Sequence, residues 1–290
     1  VSETRDVREL HNAAAAAQAA ADYLTLAQLA HQMIEISEKN GDTLGLAWGH
    51  YFVGASNYQR NDGPAAKREY RAAKELFEQI ENREGVARSM LGMAAVAIDV
   101  DVDVAEGRHL YDLAVPIIRQ LGDKRRLGIV LGNLGEICRL EGSVDKALQY
   151  AREAVEVFRG VGDHASVGWQ LCNIAQYQLL QRDDAGAVES MREAYAELSQ
   201  DPIPRWVAWY FDTWFMISAS RDRWEVAAQI YAFTNRYRDE NSAPRYQGVL
   251  PWFSGPVEQL SQQIEPERLQ TLFDAGESLT IETAEVLAAS

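Results

Sequence analysis

Small and apolar residues return at fixed places along this chain. One column, Gly54, Ala95, Gly135, Ala175 and the bulkier Phe215, is spaced by 41, 40, 40 and 40 residues. Twelve residues after each stand Ala66, Gly107, Ala147, Ala187 and Ala227. Four further on come Tyr70, Tyr111, Ala151, Met191 and Tyr231, and three beyond those Ala73, Ala114, Ala154, Ala194 and Thr234. Steps of four and three residues keep side chains on one helical face, so the last three columns trace the buried side of one helix. The first column marks a helix before it. Each period therefore predicts helix A, a turn and helix B, with small residues where two backbones come close. An echo between residues 30–42 and 151–163, 121 residues apart, repeats the pattern upstream. Self-similarity at such a period is the mark of a solenoid of stacked helix pairs.

Turn signals fall between the predicted helices. Asn61-Asp62-Gly63-Pro64, Glu141-Gly142-Ser143 and Arg182-Asp183-Asp184 separate A from B, while Asn40-Gly41-Asp42, Gly122-Asp123 and Gly162-Asp163 separate B from the next A. Glycine supplies a left-handed helix end, and Asp or Ser the next N-cap. Residues 13–21 and 25–37 predict a further helix pair at the start, giving about six pairs over residues 1–240. Beyond Glu240 the pattern stops at Asn241-Ser242-Ala243-Pro244, and Pro251, Gly255 and Pro256 punctuate the remaining segment. Three short helices are predicted there, at 257–264, 266–275 with Gly276 as its stop, and 281–289 with Thr280 as N-cap. Residues 241–290 are expected to form a helical cap that covers the last pair. The whole is an all-α superhelix with a capped C-terminal end.

The small-apolar columns resemble the tetratricopeptide repeat, whose signature has a Leu-Gly pair and an aromatic in helix A, then Ala, an aromatic and Ala in helix B. Leu134-Gly135, Cys138, Gly142, Ala147, Ala151 and Ala154 track it best. The period of about 40 departs from the family's 34, and in this it is similar to repeats of bacterial signal-transduction ATPases and maltose-regulator-type transcription activators. The segment from Phe273-Asp274-Ala275-Gly276 through Leu279-Thr280-Ile281-Glu282 to Ala284 resembles the ends of such regulators. That resemblance implies a non-enzymatic, bacterial interaction or sensor module acting in signal transduction or transcriptional regulation.

Charge and composition narrow the partners. With 28 basic and 43 acidic residues the formal net charge is -15, which disfavours a nucleic-acid surface because phosphate binding needs a concentrated positive field. Residues 13–21 form the longest apolar run and are far too short to span a bilayer, and the charged first residues do not read as a signal peptide. Cys138 and Cys172 lie in apolar helical segments without CxxC spacing, which predicts buried free thiols in a reducing, cytoplasmic setting.

No constellation for catalysis emerges. A phosphate loop of the form Gly-x-x-x-x-Gly-Lys-Ser/Thr is missing from the sequence. None of His11, His31, His50, His109 and His164 stands at an i, i+4 ligand spacing, so no metal or cofactor is expected. Asp99-Val100-Asp101-Val102-Asp103 has the carboxylate spacing of a calcium loop. However, Val104 stands where that loop needs Gly and Leu110 where it needs Glu, so the segment reads as a longer turn between A and B.

The family resemblance also implies where a ligand sits. In tetratricopeptide stacks, helix-A positions 2, 5, 6, 9 and 12 line the concave groove when the small residue is numbered 8. That transfer yields Trp48, Tyr51 and Tyr58; Ser89 and Asp99; Asn133, Glu136 and Arg139; Trp169, Asn173 and Gln176; and Trp209 and Asp212. Trp48, Trp169 and Trp209 share one position, as core or as an aromatic wall of the groove. Asn133 and Asn173 resemble ligand-clamping asparagines of peptide-binding relatives, yet Arg139 is the one cation of the set, which disfavours a carboxylate clamp. A protein or peptide partner, or a small effector, is the expected ligand. A self-assembling scaffold, such as a homodimer, is the alternative. Trp206, Trp209, Tyr210, Phe211, Trp214 and Phe215 make one helix apolar all round, which predicts that the cap covers it through Leu250, Trp252 and Phe253, the alternative being a dimer or partner surface.

Overall fold

Helices of this chain repeatedly begin in the same way. Asp22, Asp42, Asp62, Asn82, Asp103, Asp163 and Asp183 each precede a helix, and each side chain accepts the backbone N–H three residues on. Such caps contribute about 1 kcal/mol apiece by satisfying an N–H that the helix leaves unpaired. The computed structural model describes residues 6–20, 22–100, 103–243, 245 and 250–290. Among these, all regular structure is α-helical.

The chain forms two compact units, Val1–Asp123 and Lys124–Ser290. The first unit holds α1 (Val7–Ala19), α2 (Tyr23–Asn40), α3 (Thr43–Gln59), α4 (Gly63–Gln79), α5 (Arg83–Asp99) and α6 (Val104–Leu121). These are three A–B pairs, and each helix packs on the next in sequence. Tyr70 of α4 shows how the small columns work. A methyl group added at Gly54 of α3 would lie 2.9 Å from its ring, and one added at Gly92 of α5 only 2.5 Å away. The tyrosine fills the space that two glycines on flanking A helices leave open.

The second unit holds α7 (Lys124–Leu140), α8 (Val144–Arg159), α9 (His164–Leu180), α10 (Asp184–Leu198), α11 (Pro204–Ser220), α12 (Trp224–Glu240), α13 (Leu250–Gln263), α14 (Pro266–Glu277) and α15 (Ile281–Ala289). Helices α7 to α12 are again A–B pairs. Helix α11 is buried at 13 of its 17 positions, among them Trp206, Tyr210, Phe211, Trp214 and Phe215. It packs against α9, α10, α12, α13 and α15. Phe253 stands 4.9 Å from Phe215, while the side chains of Leu250 and Trp252 lie outside the described residues. Arg223 donates to the carbonyls of Leu287 and Ala288, occupying the open end of α15.

Several boundaries differ from expectation. Helix α1 starts at Val7 and α2 extends from Tyr23 to Asn40, because Asp22 caps the latter. Helix α13 starts at Leu250, with Pro251 in its first turn, where a missing N–H costs nothing. Gly276 does not stop α14. It lies inside that helix, where a methyl group would meet the Gln229 carbonyl of α12 at 2.3 Å, so close helix contact is its role. Thr280 does cap α15, and its own N–H donates in return to Thr283 Oγ1.

The register also slips once. The N-caps Asp42 and Asn82 are 40 residues apart, and Asn82 and Asp103 enclose the longer connection between α5 and α6. The extra residue of the second copy therefore lies after helix A, not before it. Ala94, fully buried, is the true counterpart of Gly54, and Ala95 is only half-buried.

Candidate functional site

In the first unit, the register slip changes which residues are equivalent. Position 2 of α5 is Arg88, not Ser89, and the guanidinium of Arg88 lies 5.1 Å from the centre of the Trp48 ring. Trp48 is half-buried, edge-on to Phe77 at 4.8 Å and to His11 at 5.0 Å. Burial, reinforced by the Arg88 charge, holds the His11 imidazole below its usual pKa. Tyr51 extends this cluster at 5.4 Å from Trp48. Ser89 is fully buried and donates to the Gly85 carbonyl of its own helix, which leaves it no ligand-facing surface. Tyr58 of α3 donates to Asp99 at the end of α5, so both act as an inter-helix tie. Asp103 is the N-cap of α6, and Asp101 and Val102 of the acidic loop lie outside the described residues.

The second unit gathers the other candidates on α7, α9 and α11. Asn133, Glu136, Arg139, Trp169 and Trp209 are half-buried, whereas Asn173, Gln176 and Asp212 are buried. Arg139 grips Glu136 through two nitrogens, with Nε at 2.8 Å. Burial works against the Arg139 charge, but the Glu136 carboxylate outweighs it and the pKa rises. Tyr177 donates to the same carboxylate at 3.4 Å, which connects α9 to α7; burial first, and then this negative charge, push the phenol far above its usual range.

The buried amides join neighbouring copies. Trp209 Nε1 donates to Asn173 Oδ1 at 3.0 Å, and Gln176 Nε2 donates to Thr213 Oγ1 at 2.8 Å. Both amides thus couple α9 to α11, and the groove role expected for Gln176 is replaced by a structural one. Asp212 is likewise withdrawn, held between the guanidiniums of Arg238 and Arg245. Trp169 stacks on Trp206 with ring centres 4.6 Å apart and planes 11° apart, and Arg205 lies 4.5 Å from the Trp206 ring centre. Trp169, Trp209, Asn133 and the Glu136–Arg139 pair keep partial exposure on these three helices.

Sequence reasoning missed Arg88, Trp206 and the two arginines on Asp212. The first was readable: Asp42-x-x-Gly45 and Asn82-x-x-Gly85 repeat at 40 residues and set the correct register. The arginines lie outside helix A and carried no periodic signal. Cys138 and Cys172 form no disulfide and are buried, and burial pushes the Cys172 thiol well above its usual range. Among the described residues, no helix is long and apolar enough to cross a membrane.

Comparison with known proteins agrees with this architecture. The tetratricopeptide repeat family model matches residues 126–196, spanning most of α7 to α10. No curated protein matches the sequence. The apo form of RapI resembles the structure with a TM-score of 0.63 at 12% identity, covering 91% of this chain and 99% of its own. BtubC from P. vanneervenii gives 0.60 at 14% identity, covering 83% and 94%. A Rap conjugation gene regulator of the plasmid pLS20, solved in complex with the Phr peptide, gives 0.60 at 13% identity, covering 91% and 74%. At these identities the likeness is one of fold, a tetratricopeptide-like helical repeat.

Proposed function

We propose that the second unit binds an extended peptide segment of a partner protein across α7, α9 and α11. The observation that carries this reading is the partial exposure of Asn133, Glu136 and Arg139 on α7 and of Trp169 and Trp209, which share one position on α9 and α11, while much of those helices is buried. The Trp169–Trp206 stack is already rigid, so a ligand side chain packing on it orders little that is not ordered beforehand. An asparagine amide carries both donor and acceptor groups, the complement of a peptide backbone, and Asn133 keeps part of its surface exposed. The tetratricopeptide match over these helices and the peptide-bound Rap neighbour support the reading. In the wider role, occupancy of this face is passed to a partner in signalling or gene regulation, and the chain itself carries out no reaction.

A random peptide library displayed on phage and selected against the full chain tests this. Recovered peptides should bind Trp169→Ala at least about tenfold more weakly, the effect of losing a central aromatic anchor. Unchanged affinity in the double variant Trp169→Ala/Asn133→Ala sinks the assignment.

A further inference from the structure

Asp212 on α11 is 1% exposed, and two guanidiniums share its carboxylate. Arg238 of α12 donates one nitrogen to it, and Arg245 donates Nη2 at 2.7 Å and Nε at 3.2 Å. The side chains of Arg238 and Arg245 are 7% and 15% exposed. Among the described residues neither arginine has a second carboxylate, so the cluster carries one uncompensated positive charge in an otherwise acidic chain. Its hydrogen bonding is also incomplete. Arg238 Nη1 serves the Ala243 carbonyl and Arg245 Nη1 serves Asn235 Oδ1, but Arg238 Nε is buried with no acceptor.

An excess charge in a buried cluster is unfavourable, and an unmet buried donor adds to the cost. The excess charge is relieved by one further anion. Guanidiniums match a carboxylate through paired, parallel N–H bonds, so that group is the fitting complement. Arg245 is held ready for it by Phe253, whose ring centre lies 4.4 Å from the guanidinium carbon. Asp212 follows Trp209 by three residues, which places both on one side of α11.

We propose that Arg238 and Arg245 form a receptor for a ligand carboxylate, an acidic side chain or the chain end of a bound peptide, so that two guanidiniums face two carboxylates. The inference rests on the peptide reading above only for the source of that carboxylate. A purely structural role, with Arg238 and Arg245 securing the segment after α12, makes the opposite forecast: stability independent of added carboxylate.

Thermal melts of the full chain decide the matter, with N-acetylglycine as a chain-end carboxylate and N-acetylglutamic acid α-amide as a side-chain carboxylate. Sodium chloride holds ionic strength constant, and N-acetylglycine amide is the uncharged control. One of the two carboxylates should raise Tm saturably, the amide should not, and the effective one identifies the source. Arg245→Met leaves a balanced pair of Asp212 and Arg238 and should lose the dependence while keeping its helicity by circular dichroism. If that variant does not fold, Arg245→Lys, which keeps the charge without the planar fork, should need at least tenfold more carboxylate for half the shift. No saturable shift in the wild type, or the same half-saturation in the folded variant, overturns the proposal. Selected peptides that bind wild type and variant equally also overturn it, yet leave the Trp169 face intact. Carboxylates that shift Tm when no peptide binds uphold this site and remove the peptide face.

Discussion

Glu81, Arg182 and Asp222 have φ of 55°, 61° and 56°, in the left-handed region where a Cβ crowds the backbone. Gly41, Gly122, Gly142 and Gly162 do the same work at other helix ends without that crowding. Arg182→Gly is therefore expected to raise the unfolding free energy by about 0.5–1 kcal/mol, the left-handed penalty less the added chain entropy of glycine, as measured by urea denaturation. The glycine turns were legible because glycine announces this conformation. Glu81 was not, since a charged residue gives no such signal and the conformation is imposed by helix packing on both sides. Ser89 was misplaced for a related reason. Spacing between similar alanines could not tell whether the extra residue came before or after Ala95, whereas the caps Asp42 and Asn82 could.

At the level of elements, α15 is tied to α11 by Tyr210, which donates to the Glu285 carboxylate. Burial raises the Glu285 pKa above 4.5, and the hydrogen bond from Tyr210 only partly offsets it. A carboxyl raised in the folded state favours folding fully below its unfolded pKa, and that contribution is lost as pH rises through the folded value. Glu285→Gln cannot ionise, so its Tm should gain on that of the wild type as pH is raised upward from about 4.5. A difference that stays constant with pH contradicts an ionising role for Glu285. The A and B helices were largely legible from their columns, because a buried face must repeat where the turn of the helix returns it to the neighbour. Helix α13 is longer than its sequence suggests, since Pro251 and Pro256 both read as breaks, although the first lies where a helix tolerates proline.

For the whole molecule, burial of α11 depends on the segment after Glu240. Truncation after residue 240 uncovers Phe215 and removes the ties from Arg223 and Tyr210 to α15. The truncated chain should pass into the insoluble fraction on expression, and a stable monomer in size-exclusion chromatography would contradict the covering role. The existence of repeats was legible, but the separation into Val1–Asp123 and Lys124–Ser290 was not, since the spacing continues through that point. Nor was the arginine cluster, which draws Asp212, Arg238 and Arg245 from three segments with no common period.

The equivalence of Trp169 and Trp209 has a consequence for how such a chain can grow. Asn173 accepts from Trp209, the residue one period after Trp169. If residues 163–202 were duplicated in tandem, the second copy of Trp169 would occupy the place of Trp209 and meet the first copy's Asn173. The inserted cassette would bring its own cap in Asp163 and its own left-handed turn in Arg182. Unequal recombination within the gene could thus lengthen the array by one cassette with this bond regenerated at the new joint, so that array length and surface specificity are free to evolve separately.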